Sequence, residues 1–210
     1  MLNQPTLETP RLILRPLRLS DAREVQYLAG DPDIARTTIQ IPHPYPDGAA
    51  EEWIASLPDK FDQRREVNFA VTLKRGKGDR SHLSERPEGG HHACRVVAQI
   101  EPDSFFQLIG AVCLRLELEH DRGEVGYWIG KSFWGQGYAT EAARAVVSHG
   151  LEFWRLNRIV GGFFASNPAS GRVLQKLGFQ PEGRMRQHIK KWGRYEDLEI
   201  YAVLRSEWIF

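Results

Sequence analysis

Cysteine is scarce in this chain, with Cys94 and Cys113 the only two among 210 residues. Two are too few to form a disulfide framework for a chain of this length, so a reduced, cytoplasmic compartment is the simpler expectation. An excess of charge of either sign is also lacking. The 28 Lys and Arg residues against 27 Asp and Glu leave a formal +1, and no global field argues for nucleic acid as a partner. No apolar run approaches the length of a bilayer span, and residues 1–5 have no basic start with an apolar stretch behind it. Neither membrane insertion nor export is expected. His91, His92 and Cys94 sit close together but lack the paired spacing of a zinc site, so no metal is expected. No internal repeat is visible.

With 41% hydrophobic and 26% charged residues, the chain can bury a core, and its length predicts a single domain over 1–210. Apolar periodicity predicts a strand at 11–17 and a helix at 20–29. A proline-rich passage at 41–46 then leads to a helix that includes 49–57. Further strands are predicted at 67–73, 108–118, 124–129 and 158–164, helices after residue 138 and at 168–177, and a closing strand pair around 183–191 and 198–204. This is a mixed α/β (α+β) pattern with a largely antiparallel sheet. Between residues 74 and 95 the chain is charged, rich in glycine and without apolar periodicity. It reads as a surface insertion that is disordered, covers substrate or contacts a second copy, with disorder the leading reading.

The most informative stretch is Trp128 to Ala142, where an alternating strand passes through Gly130, Gly135 and Gly137 into a helix. Glycine lets a backbone approach a ligand closely, and the unpaired N–H groups of a first helical turn point at the same place, so such a junction suits a pyrophosphate. The plain alternative is a tight strand–helix turn. A dinucleotide-binding doubly wound fold fits poorly, since its glycine fingerprint belongs to an early strand and is followed by an acidic residue. A second junction follows. Asn167-Pro168-Ala169-Ser170 opens a helix with a polar cap and a first-turn proline, and Leu177-Gly178-Phe179 closes it.

Three segments, Glu124-Val125-Gly126-Tyr127-Trp128-Ile129, Phe133 to Ala142, and Asn167 to Ser170 with Leu177-Gly178-Phe179, resemble the Gcn5-related N-acetyltransferases in order and spacing. Within that family the chain resembles the Rim type, which acetylates N-termini of ribosomal proteins. The opening Leu7 to Leu17, followed by Ser20-Asp21-Ala22, is similar to the first strand and helix start of that type. The resemblance implies a mixed sheet with flanking helices whose two central parallel strands, 124–129 and 158–164, splay apart to admit an acyl-CoA. It implies acetyl-CoA or another acyl-CoA as co-substrate, contacted by Tyr127, Trp128, Ile129, Trp134, Gly135, Gln136, Gly137, Tyr138, Ala139, Thr140, Asn167 and Ser170.

For the chemistry, the resemblance offers Glu124 as the base, with His120 and Asp121 as weaker substitutes; the other reading of Glu124 is an exposed strand residue. An N–H of Trp128 or a neighbour is the expected oxyanion donor. Many family members place a thiolate-stabilising tyrosine where this chain has Leu174. Rim-type members carry a serine earlier in that helix, which matches Ser170 and is otherwise an ordinary first-turn residue. Asn167 reads as a helix cap or as a pantetheine contact. Trp134 stands where the wider family has Gln or Arg, which leaves the phosphate contacts to the backbone, aided by Gln136.

The implied acceptor is an amine, a protein or peptide N-terminus first. Aminoglycosides, polyamines and a non-catalytic acyl-CoA sensor are the alternatives. Asp31, Asp33 and His43 would meet a cationic amine, and the basic run 184–194 reads as a solvated hairpin face ahead of a nucleic-acid or ribosomal dock. The resemblance implies a monomer or homodimer.

Overall fold

In the computed structural model of the chain, which describes residues 3–74, 95–97 and 106–210, the elements run β1 (Thr6–Glu8), β2 (Leu12–Pro16), α1 (Ala22–Ala29), α2 (Pro32–Thr37), α3 (Ala49–Asp62), β3 (Glu66–Leu73), β4 (Arg95–Val97), β5 (Gln107–Glu117), β6 (Arg122–Ile129), α4 (Tyr138–Glu152), β7 (Arg158–Phe164), α5 (Pro168–Lys176), β8 (Gln180–Lys191) and β9 (Arg194–Leu204). Most of the insertion, with His91, His92 and Cys94, lies outside the described residues. The expected strands and helices are present, with three additions. The short strands β1 and β4 pair with each other, and α2 occupies a stretch that carries no long periodic signal. Asp31 starts α2 by accepting a hydrogen bond from the Asp33 amide at 2.8 Å, with Pro32 in the first turn.

α3, expected to include 49–57, continues through Pro58 to Asp62. The proline removes one main-chain donor, but Leu57 and Phe61 on the buried side hold the last turn against the core.

One nine-stranded sheet joins the described strands in the order β4-β1-β2-β3-β5-β6-β7-β9-β8. Every pairing is antiparallel except β6 with β7. The strands alternate their side chains between two faces. On one face Val125 and Ile129 pack with Ala142 and Val146 of α4 and Leu174 of α5. On the other, Ala70, Leu108 and Trp128 meet Val25 of α1 and Ile54 of α3. Phe69 and Phe164 are fully buried, and a side chain of that size contributes about 2 kcal/mol through removal from water.

The pairing of β6 with β7 is short. It holds from Arg122 with Arg158 to Glu124 with Val160 and then stops, although β6 stays paired with β5 as far as Ile129 and β7 with β9 as far as Phe164. The two central strands therefore part in the middle of the sheet.

Candidate active site

The parting strands leave main-chain groups in need of partners. The bond from the Gly130 amide to the Ile109 carbonyl, 2.8 Å, sets the phase of β6 against β5. Antiparallel alternation then turns the main-chain groups of Gly126 and Trp128 toward β5 and those of Val125, Tyr127 and Ile129 toward the opening. The amide of Trp128 thus faces its neighbouring strand, and the amides that face the gap belong to Tyr127 and Ile129. The Ile129 carbonyl is already taken, since the indole of Trp134 donates to it at 2.6 Å.

A cavity of about 420 Å³ fills the gap and extends under α1 and α3. Glu124, Tyr127, Trp128, Ser170, Asn68 and Arg115 are among its lining residues. Side-chain alternation puts Glu124 and Tyr127 on opposite faces of the sheet, so the cavity reaches a carboxylate on the α1/α3 side and a hydroxyl pair on the α4/α5 side. His120 and Asp121 are not part of the lining.

Glu124 is held by Arg115, whose Nη1 donates to Oε1 at 3.0 Å. The same guanidinium lies 4.0 Å from Glu66 and donates to Gln40 Oε1 at 3.0 Å, so it ties the cavity floor to the segment between α2 and α3. Cys113 sits in the same row, and burial pushes its thiol up to about 12, which keeps it neutral. Asn68 is buried, and its Nδ2 has no hydrogen-bond partner among the described residues.

On the opposite wall, the Tyr127 hydroxyl lies 2.9 Å from Ser170 Oγ and donates to the Ser170 carbonyl at 3.1 Å. Asn167 caps α5, with Oδ1 accepting from the Ser170 amide at 3.4 Å, while its Nδ2 donates to the Thr37 carbonyl at 3.4 Å. Leu174 is buried, with its methyl groups against Gly161.

Beyond β6 the chain turns through a short 3-10 segment, Lys131–Phe133, into α4. Gly135 and Gly137 have φ of +76° and +81°, a left-handed backbone that a side chain would strain. Gly137 caps α4 without any side-chain bond to the first-turn amides, so those of Tyr138, Ala139 and Thr140 start the helix with no side-chain acceptor among the described residues. Positive partial charge gathers there. Gln136 is exposed, and its carbonyl accepts from Arg11 Nη1 at 2.9 Å. A helix start on a left-handed glycine, beside a strand gap faced by the amides of Tyr127 and Ile129, suits a ligand carrying a diphosphate at one end and amide groups behind it.

Three residues that matter here gave no local signal in the sequence. Arg11 reaches the glycine turn from the start of β2. Arg115 anchors Glu124. Lys191, expected on a solvated face, donates to the carbonyls of Thr38 and Ile41, both at 2.8 Å, and pins the segment that roofs the cavity. Conversely, Asp33 is spent on Arg36 and on Lys131, and His43 lies against the Trp192 ring. Neither lines the cavity.

Residues 11–180 match the family model described as an acetyltransferase (GNAT) domain. An uncharacterized N-acetyltransferase, p20, of Bacillus licheniformis is 27% identical over 97% of this chain and 98% of its own length. A ribosomal-protein-serine acetyltransferase of Escherichia coli is 33% identical over 46% of this chain and 54% of its own. Among solved structures, a spermidine N-acetyltransferase from Vibrio cholerae, in complex with CoA and spermine, superposes with a TM-score of 0.69 at 20% identity, covering 93% of this chain and 96% of that one. The glycine turn, the split between β6 and β7 and the family match agree: the chain belongs to the GNAT acetyltransferases and is an acetyl-CoA-dependent enzyme.

Proposed function

We propose that the protein moves an acetyl group from acetyl-CoA to the primary amine of a protein or peptide N-terminus, by direct attack within a ternary complex. The observation that carries this reading is the placement of Glu124 and Ser170 on opposite sides of one cavity that runs through the gap between β6 and β7. Amine and thioester can approach from opposite faces of the sheet and meet in the opening. The co-substrate brings an activated acyl carbon and a good leaving group. What the chain supplies is a cradle for the diphosphate at Trp134, Gly135, Gln136, Gly137, Tyr138, Ala139 and Thr140, and, for the arm behind it, main-chain partners at Tyr127 and Ile129 with Trp128 lining the cavity between them. Asn167 belongs to this set by its position at the α5 start beside the gap.

Glu124 takes the ammonium proton, directly or through a water, because only a neutral amine can attack. Arg115 fixes one carboxylate oxygen and leaves the other to face the acceptor. The amides of Tyr127 and Ile129 face the opening and are the donors for the carbonyl oxygen as it gains charge. Ser170 offers its hydroxyl to the departing sulfur.

A chain terminus fits the acceptor side better than a polyamine does. Among the described residues, the carboxylates lining the cavity are Glu66 and Glu124, and Arg115 lies against both. A molecule with several cationic amines would find no further carboxylate there. The likeness to the ribosomal-protein-serine acetyltransferase supports the same direction. A non-catalytic acyl-CoA sensor would keep the glycine turn and lose turnover.

The test is to incubate the protein with acetyl-CoA and a panel of N-terminal peptides, polyamines and aminoglycosides, and to follow the release of free thiol. Turnover with the peptides is expected. Turnover confined to polyamines or aminoglycosides would overturn the acceptor class, and tight cofactor binding with silence across the panel would favour the sensor.

A further inference from the structure

Ser170 is not alone on its side of the gap. Tyr127 and Ser170 are 43 residues apart, on β6 and α5, and their hydroxyls meet at 2.9 Å across the split that opens after Glu124 and Val160. The ring of Tyr127 packs against the core on the α4/α5 face, which fixes where its oxygen sits. One turn farther along α5 stands Leu174, an apolar side chain pressed onto Gly161. The hydroxyl facing the gap from α5 is therefore that of Ser170, and Tyr127 is bonded to it.

Each hydroxyl has one hydrogen to give and can accept others. In the arrangement seen, the Tyr127 O–H donates to the Ser170 carbonyl at 3.1 Å, and Ser170 can direct its own hydrogen at the Tyr127 oxygen. A sulfur gaining negative charge in the gap changes the preference. The Ser170 hydrogen turns to the sulfur, and the Tyr127 hydrogen needs only to swing from the Ser170 carbonyl to Ser170 Oγ. Ser170 then accepts one bond while giving another, a sequence in which each bond polarises the next.

We propose that Tyr127 is a positioning residue for acetyl transfer, which aims the Ser170 hydroxyl at the leaving sulfur and strengthens the hydrogen bond it gives. This rests on the role proposed above for Ser170. Burial pushes the Tyr127 phenol up to about 12, so it keeps its hydrogen throughout the working range of pH. In the step itself the amine nitrogen bonds to the acyl carbon, and the carbon–sulfur bond breaks with its electron pair going to sulfur. The amine's protons leave by Glu124 and water, and the thiolate is reprotonated from solvent. Ser170 and Tyr127 hold the charge through hydrogen bonds and end the turnover with their own protons.

A double-mutant cycle tests it, with Tyr127→Phe, Ser170→Ala and the pair, read as kcat, KM for acetyl-CoA and CoA affinity by calorimetry. Tyr127→Phe should lower kcat about tenfold, with KM and CoA affinity within about twofold, and the double variant should match Ser170→Ala alone. A Tyr127→Phe loss that multiplies with that of Ser170→Ala, or that appears in KM, overturns the inference and leaves the role of Ser170 standing. Full activity of Ser170→Ala would instead overturn that role, and the inference with it. Should Tyr127→Phe fold poorly, a fluorinated tyrosine at position 127 keeps the shape and strengthens the donor; kcat held or raised supports the inference, and kcat reduced overturns it.

Discussion

Arg11 and Glu141 lie 130 residues apart, yet the Arg11 Nε meets a Glu141 carboxylate oxygen at 2.6 Å. The other oxygen of Glu141 accepts from the Arg11 amide at 2.8 Å and from Thr9 Oγ1 at 2.7 Å. The guanidinium continues to the Gln136 carbonyl and lies over the Tyr138 ring, 4.6 Å from its centroid. The start of β2 is thereby stitched to the glycine turn before α4. Glu141 favours the positive end of the helix, and it also locks the arginine that holds the turn.

Replacing either partner should loosen the turn more than the fold. Arg11→Ala and Glu141→Gln are each expected to weaken acetyl-CoA binding about fivefold to tenfold by calorimetry. The stability cost should be only about 1 kcal/mol, because the arginine side chain is half exposed to solvent. Unchanged affinity in both variants would show that the stitch is structural alone.

Gly137 is constrained by its backbone. Its φ is +81°, whereas a Cβ there would meet the tip of Arg11 only at an ordinary contact distance of 3.4 Å. Gly137→Ala should cost about 1 kcal/mol of stability from the left-handed backbone, together with part of the cofactor affinity. Gly137→Glu adds bulk and negative charge where a diphosphate is proposed to sit.

Glu124→Gln keeps the shape and can still accept from Arg115, but it can no longer take a proton. The expected loss is about a hundredfold or more in kcat/KM, with acetyl-CoA affinity within about twofold. A wild-type rate in this variant would move the base elsewhere in the cavity.

His149 sets a pH dependence of stability. Burial lowers its pKa from 6.5 to about 4, and its ring stacks on Phe153 at 4.9 Å with Nε2 unpartnered among the described residues. Between pH 6.5 and 4 the unfolded chain binds a proton that the folded chain refuses, so stability rises with pH across this window. Above about pH 7 this residue contributes no slope. Acidification toward pH 4 should cost about 2 to 3 kcal/mol through this group. Denaturant titrations at several pH values would reveal it, and His149→Phe should flatten the curve over that window. An equally steep curve in the variant would assign the slope to other groups.

Local signals carried much of the fold. The alternation of 124–129, the glycines at 135 and 137 and the Asn-Pro start of α5 are short-range patterns, and each appears at its predicted place. The contacts that organise the site bring distant positions together: Arg11 with Glu141, Tyr127 with Ser170, Lys191 with the segment after α2. No periodicity within a window can report them, because each depends on sheet order. Lys191 shows why. In sequence it belongs to a basic run, yet it turns inward, and burial lowers its pKa as it binds carbonyls. The phase of β6 was hidden in the same way: whether Trp128 or its neighbours present an amide to the gap depends on the pairing with β5, and Gly130 with Ile109 decides it. Pro58 is a residue that disfavours a helix interior, yet it lies inside α3, whose last turn is held by packing at Phe61.

The most direct measurement is calorimetric titration of acetyl-CoA into the wild-type protein and into Gly137→Glu, with the fold of each checked by circular dichroism. Saturable binding to the wild type and none to a folded Gly137→Glu variant is predicted. Equal binding by both, or no heat from the wild type, would contradict the account.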